Sequence, residues 1–338
     1  MQRADRRLTI PKLGVRPTLP ILKSGAQRAF RHRLLVWFDQ NQRSLPWRRD
    51  RHPYHVWVSE IMLQQTRVSA VIGHYRRFLQ RFPTVEALAA AREGDVLAAW
   101  SGLGYYRRAR SLHAAARQMV ARGRFPATAE AWRALPGIGR YTAAAIASIV
   151  HDEPAAVVDG NVERVLARLF RRKPGDAWRL AEELLSPARP GDFNQAMMEL
   201  GATVCLPQSP WCEACPVFLW CRTRGESPRG VSQHRHKKDI AYLLAARPGS
   251  VFLVKRAARL AVMPGMWELP QVDNGDLPAD RPILSLRHSI TTTDYCVAVH
   301  AAVAPAPGPA GQWIRRSRLP ALPLTGLTRK ILCAAAII

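Results

Sequence analysis

Apolar side chains recur every three or four residues from Ala26 to about Gly225, and beyond Asp239 they alternate instead. One period belongs to helices and the other to strands, so the chain reads as two architectures in series. The helical period runs through AFRHRLLVWFDQN, YHVWVSEIMLQQTRVSAVIGHYRRFLQRF, VEALAAAREGDVLAAWSG, YYRRARSLHAAARQMVARG, AEAWRAL, RYTAAAIASIVH and NVERVLARLFRR. In the second part IAYLLAA and VFLVKR flank Arg247-Pro248-Gly249-Ser250 as a hairpin, and YCVAVHAAVA reads as a further strand. Residues 226–238 are polar, basic and broken by Pro228 and Gly230, as a linker is. Residues 1–25 carry three prolines and scattered bases without a period, which predicts an unpacked basic arm. The expected organisation is therefore arm 1–25, helical domain 26–225, linker 226–238 and an α+β domain 239–338.

Charge narrows the partners. Fifty Lys and Arg face 25 Asp and Glu, a formal charge of +25, and 43 of the basic residues are arginine. Compositional bias accounts for an excess of arginine, but it does not by itself lower the acidic count. A sequence pI near 11.1 gives a field that attracts a phosphate polymer at long range. At 48% hydrophobic and 22% charged the composition is that of a folded protein, not of a disordered basic tail. With no uninterrupted apolar run of membrane-spanning length and no apolar secretory leader, a soluble protein inside the cell is expected, without a membrane partner.

Four of the six cysteines, Cys205, Cys212, Cys215 and Cys221, follow the spacing C-x6-C-x2-C-x5-C. In a reducing compartment thiols at this density suit a metal better than disulfides. Tetrahedral zinc and an iron–sulfur cluster are both compatible with the spacing. Pro207, Pro210 and Pro216 make the loop compact and too small to hold a core of its own, so the metal would be its staple. Cys296 and Cys333 stand alone and read as small buried apolar residues.

Between two helical stretches lies Leu135-Pro136-Gly137-Ile138-Gly139-Arg140. Gly137 and Gly139 let backbone N–H groups face outward beside a helix start, a cradle for phosphate; a tight turn between helices is the plainer reading. Two carboxylates stand out. Glu60 sits among the apolar residues of WVSEIML, and Asp159 precedes Gly160-Asn161-Val162 where a helix should begin. Asp159 satisfies an ordinary N-cap, and Glu60 could occupy a solvated face. A desolvated carboxyl donates a proton while a hydrogen-bonded one stays ionised, and that pairing suits cleavage of a glycosidic bond.

Helix-PGIG-helix, then VVDGNV, then the four cysteines, resembles the endonuclease III superfamily of helix-hairpin-helix DNA glycosylases. LPWR at 45–48, SEIMLQQT at 59–66, GLGYYRRAR at 102–110 and FNQAMMELGA at 193–202 narrow the resemblance to the adenine DNA glycosylase (MutY) family. The resemblance implies a mainly α glycosylase domain with a [4Fe-4S] loop, and a partner duplex carrying adenine opposite 8-oxoguanine or guanine. It implies a monomer acting in the cytoplasm at the nucleoid. It implies that Glu60 protonates the adenine, that Asp159 stabilises or transiently captures the sugar cation, and that Asn161 positions them. Tyr141 stands where bifunctional relatives carry a Schiff-base lysine. Arg48 and Gln195 match the adenine pocket, and Gln65, Thr66, Leu103 and Tyr105 match residues inserted around 8-oxoguanine and its neighbour.

One observation stands apart from the family: no lysine occurs between Lys23 and Lys173, so this span offers no side-chain amine for an imine. An endonuclease III-like bifunctional glycosylase/AP lyase is disfavoured accordingly, and a non-catalytic iron–sulfur DNA-binding protein would not need Glu60 with Asp159. The C-terminal part resembles the family's Nudix-like 8-oxoguanine recognition domain through MPGMWELP at 263–270, with QVDNGDLPADRP in place of a carboxylate-rich Mg²⁺-binding helix. Where the family has Phe-Ser-His, this chain has Ile290-Thr291-Thr292, leaving Thr291 to supply a hydroxyl.

Overall fold

The computed structural model describes residues 22–171, 174–224, 236–260, 263–272, 280–290, 293–302 and 311–338. Most of the expected arm, most of the expected linker, and Thr291 lie outside the described residues. The linker ends earlier than its composition suggested. His236–Lys238, although exposed and basic, already form the start of a strand, because their backbones pair with Thr293–Tyr295.

The helical part comprises α1 (Ser24–Asn41), α2 (Pro53–Leu63), α3 (Val68–Arg81), α4 (Val85–Ala90), α5 (Glu93–Trp100), α6 (Arg107–Arg122), α7 (Ala129–Arg133), α8 (Arg140–His151), α9 (Gly160–Phe170), α10 (Ala177–Leu184) and α11 (Pro190–Thr203). Caps explain several boundaries. Thr84, Thr128 and Asp159 each accept a hydrogen bond from a backbone N–H of the first turn, and Pro53 and Pro190 occupy first-turn positions where no donor is needed. Two large apolar cores form among the described residues of this part. One gathers α2 to α8 around Trp57, Trp100 and Trp132; the other packs α1 against α9, α10 and α11 around Phe30, Phe170 and Phe193. The seam between them is where α2, α8, α9 and α11 meet.

The C-terminal part is a mixed sheet. β1 (His236–Arg247) pairs antiparallel with β2 (Ser250–Lys255) and parallel with β6 (Thr293–Ala302), while β3 (Trp267–Glu268), β4 (Gln271–Val272), β5 (Leu284–Ile290) and β7 (Gly311–Arg315) complete it in the order β3-β2-β1-β6-β5, with β4 on β1 and β7 on β2. α12 (Gly326–Ala334) packs Leu327, Ile331 and Leu332 into this domain's core with Trp267 and Val299. Cys296 and Cys333 are both exposed, contrary to expectation. Cys296 falls on an outward position of β6, and Cys333 on the outer side of the last turn of α12. No described helix is long and apolar enough to cross a membrane.

Candidate active site

α2 is buried on nearly every side, so Glu60 enters the seam at only 6% exposure. Among the described residues its Oε2 has no hydrogen-bond partner. Burial, reinforced by the charge of Asp159, pushes its carboxyl up to about 7, against the opposing effects of the Tyr141 hydroxyl and Arg48. Near neutrality such a group carries a proton it can give away. Tyr141, in the first turn of α8, lies in the same buried seam, its hydroxyl 3.2 Å from Met198 Sδ.

Asp159 is the N-cap that its sequence context offered, and it also lines the cavity with Glu60. As the N-cap of α9 it accepts from Val162 N at 2.7 Å through Oδ1, and Oδ2 accepts from Asn161 Nδ2 at 2.9 Å. Those bonds fix the carboxylate at the mouth of the cavity. Asn161 is fixed in turn by Arg164, whose Nη2 donates to its Oδ1 at 2.9 Å. Gly201 permits this arrangement: a Cβ there would lie 2.6 Å from the Asn161 Cβ, so only glycine lets α11 approach so closely.

Glu60, Tyr141, Asp159 and Asn161 line one cavity of about 190 Å³ together with Trp47, Arg48, Gln195 and Glu199. Arg48 donates to Gln195 Oε1 at 3.1 Å and to Glu199 Oε2 at 3.0 Å. Glu199 is wholly buried and also takes both Nε and Nη2 of Arg43. Burial alone would raise its carboxyl, but Arg43 and Arg48 more than offset that and hold it low. Sequence reasoning missed Glu199. The available signal was the one that marked Glu60, a carboxylate inside an apolar helical string.

The cavity opens into a groove of about 980 Å³ lined by Gln65, Tyr105, Arg107, Arg108, Arg140 and the hairpin glycines. Gly137 has φ +76°, and a Cβ there would stand 2.5 Å from that of Ser111, whereas Gly139, the N-cap of α8, is unconstrained. Gln65 and Tyr105 also adopt left-handed backbone, at φ 56° and 48°, and both are exposed. Thr66 is half-buried, its hydroxyl accepting from Arg108 Nη2 at 3.1 Å. Leu103 differs from them. Its side chain is 5% exposed and packs into the core around Trp100, so in this conformation the loop presents Tyr105 and keeps Leu103 inside.

Cys205, Cys212, Cys215 and Cys221 ring one small, largely apolar cavity beside α9, all four as free thiols. Among the described residues they do not converge as the ligands of a single ion would. The buried Arg168 reaches Cys205 Sγ at 3.4 Å and donates to the carbonyls of Leu206 and Pro207. Four sulfur donors around one small apolar space, with a buried arginine beside them, form a donor set that fits a thiolate-bound metal centre.

A family model described as HhH-GPD superfamily base excision DNA repair protein matches residues 58–190. The rat adenine DNA glycosylase is 51% identical over 241 residues, covering 66% of this chain and 44% of its own length. The chain thus spans less than half of that relative. The adenine DNA glycosylase of Buchnera aphidicola subsp. Baizongia pistaciae is 36% identical over 258 residues, 72% of this chain and 73% of the relative. Among solved structures, a thermostable thymine-DNA glycosylase aligns with TM-score 0.55 and 29% identity over 59% of this chain and 97% of its own. A non-covalent endonuclease III–DNA complex aligns at TM-score 0.52 and 22% identity over 60% and 97%, a likeness of fold. With its helix-hairpin-helix core and a relative matched over nearly three quarters of both chains, this chain belongs to the adenine DNA glycosylase family.

Proposed function

We propose that the protein is a monofunctional DNA glycosylase that removes adenine paired with 8-oxoguanine or guanine in duplex DNA, acting as a monomer in the cytoplasm at the nucleoid. The observation that carries the reading is the pair of carboxylates on one cavity: Glu60 buried with a raised pKa and one oxygen unpartnered among the described residues, Asp159 fixed by hydrogen bonds from Asn161 and a backbone N–H. The base must leave the stack to reach them, and the basic groove in front of the cavity suits a duplex held for that purpose.

In this reading Arg48 and Gln195 hold the extruded adenine and Glu60 donates its proton to a ring nitrogen. The C1′–N9 bond then breaks with its electron pair going to the base. Asp159 faces the resulting sugar cation and stabilises or briefly captures it, and water supplies the oxygen at C1′. The products are free adenine and an abasic site. With Tyr141 in place and no lysine between Lys23 and Lys173, this span offers no side-chain amine for strand cleavage through an imine. The four cysteines would hold a [4Fe-4S] cluster, which when bound supplies the staple that orders their loop. The sheet domain is assigned to recognition of the opposite base, with Thr291 as its candidate hydroxyl.

Single-turnover excision on labelled duplexes carrying adenine opposite 8-oxoguanine, guanine or thymine tests the reading, with alkali added to half of each sample. Strand breaks only after alkali are expected. Breaks without alkali, trapped by borohydride, would indicate a lyase, and no adenine release would indicate a binding protein.

A further inference from the structure

We propose that the C-terminal domain positions the Ser101–Tyr106 loop of the glycosylase domain, and that Arg329 is the positioning residue through which it acts. This rests on the reading above, in which that loop faces the duplex. The loop is costly to hold. Gly102 and Gly104 are left-handed at φ 107° and 69°, and the next residue, Tyr105, takes φ 48° while leaving its ring 42% exposed. A non-glycine residue in that region persists only where its surroundings over-determine it.

From the glycosylase side Arg108, His74 and Trp100 hold the loop. Arg108 Nη2 donates to the carbonyls of Leu103 and Gly104 at 3.0 and 3.3 Å, and a His74 ring nitrogen lies 3.1 Å from Ser101 O. Trp100 Nε1 also donates to the Gly104 carbonyl at 3.1 Å, and further contacts come from the other domain. The Leu324 carbonyl accepts from the Tyr106 hydroxyl at 2.8 Å and from Ser101 Oγ at 3.3 Å, and Arg329 Nε donates to Ser101 Oγ at 2.9 Å. Ser101 and Tyr106 are the two ends of the loop, and both are buried.

The brace is itself rigid. Trp267 N donates to Pro323 O and Thr325 N to Trp267 O, both at 2.9 Å, tying the Leu324 segment to β3. Thr325 then caps α12, which carries Arg329. A second contact keeps the domains in register: Arg110 Nη2 donates to Pro264 O at 2.6 Å, and Met266 is buried in the core of the helical domain. The sheet domain thus grips the loop at both ends, whatever its own recognition surface does with the opposite base.

Two readouts separate this from a recognition role. Amide hydrogen exchange over 101–106 in the free, full-length protein reads the brace directly. Single-turnover excision, with duplex affinity measured alongside, reads its consequence. For Arg329→Met, exchange should rise and excision fall about tenfold, the worth of one to two hydrogen bonds. The fall should be equal opposite 8-oxoguanine and opposite guanine, with Kd within about twofold and partial recovery in Arg329→Lys. Tyr106→Phe, which removes only the hydroxyl, should do the same if Arg329→Met folds poorly. Unchanged exchange and excision in both variants would overturn the inference, as would a loss confined to the 8-oxoguanine duplex. A native protein that releases no adenine, in the presence of the expected exchange change, would overturn the functional reading and leave the brace standing.

Discussion

Replacing Glu60 with glutamine should make the protein inactive and, above neutrality, more stable. The carboxyl stands at about 7 in the folded protein against an ordinary 4.5, because burial disfavours its charged form. Below pH 4.5 both folded and unfolded chains hold the proton, and the residue makes stability independent of pH. Between 4.5 and 7 the unfolded chain releases the proton while the folded one keeps it, so stability falls as pH rises. Over about 2.5 pH units at about 1.4 kcal/mol each, the loss reaches about 3 kcal/mol by pH 8. Glutamine fills the same space without ionising and removes that slope. At about 2–4 °C per kcal/mol for a domain of this size, the melting temperature of Glu60→Gln relative to native should rise by about 6–12 °C between pH 4.5 and pH 8. Excision should fall by a factor of about 10²–10⁴ with duplex binding preserved, as loss of a general acid requires. In the native protein excision should decline as pH rises through about 7. Melting curves of the two proteins at several pH values check the stability, and single-turnover rates check the chemistry. Stability curves that run parallel across this range would refute the raised pKa, and a variant retaining most of the excision rate would remove Glu60 from its role.

Asp159→Asn keeps a good N-cap for α9 and removes the charge, so it should cost about 10² or more in excision with little change in melting temperature; Asp159→Ala should in addition lose about 1 kcal/mol of stability, read by urea unfolding. Gly137→Ala places a Cβ against Ser111 in a left-handed residue and should destabilise by about 1–3 kcal/mol while weakening duplex binding in gel shifts. Purified protein should contain about four irons per chain with broad visible absorption, and Cys212→Ser should lower the yield of folded protein; colourless protein with stoichiometric zinc would exclude the cluster. Duplex affinity should fall with salt at a slope of about 0.9 per neutralised phosphate on a log–log plot, and a flat response would mean that the +25 charge is not used on DNA.

The sequence announced those elements whose ends are chemically marked. α8 begins after Gly139, and the first hairpin turns at Pro248-Gly249; both lie where their punctuation put them. Breaks without such marks went unseen. The run from Tyr54 to Phe82 scans as one periodic stretch, yet it divides into α2 and α3 at Gln64–Arg67, because Gln65 takes left-handed backbone that nothing in its side chain announces. Between α4 and α5 the chain likewise turns extended at Ala91 and Arg92, two residues compatible with helix. In both cases packing chose the break. α2 must be buried on all sides while α3 presents a polar flank, and one straight helix cannot satisfy both.

The site was legible to the degree that its chemistry conflicts with its surroundings. A carboxylate among tryptophan, isoleucine and methionine is expensive unless it is used, and four thiols crowd into a proline-rich loop too small to hold a core of its own. Glu60 and the cysteines therefore show through a single sequence. The contacts among Arg48, Gln195 and Glu199 do not, and only the fold reveals that α11 brings Glu199 back onto Arg43 and Arg48 from more than 150 positions away. The same holds for Ser101, Tyr106 and Arg329. A serine hydroxyl and a tyrosine hydroxyl meeting one carbonyl across more than 200 residues leave no local trace. A buried carboxyl such as Glu60 breaks a local rule, whereas residues that hold a site in place need only be near each other, and proximity is what the folded chain supplies.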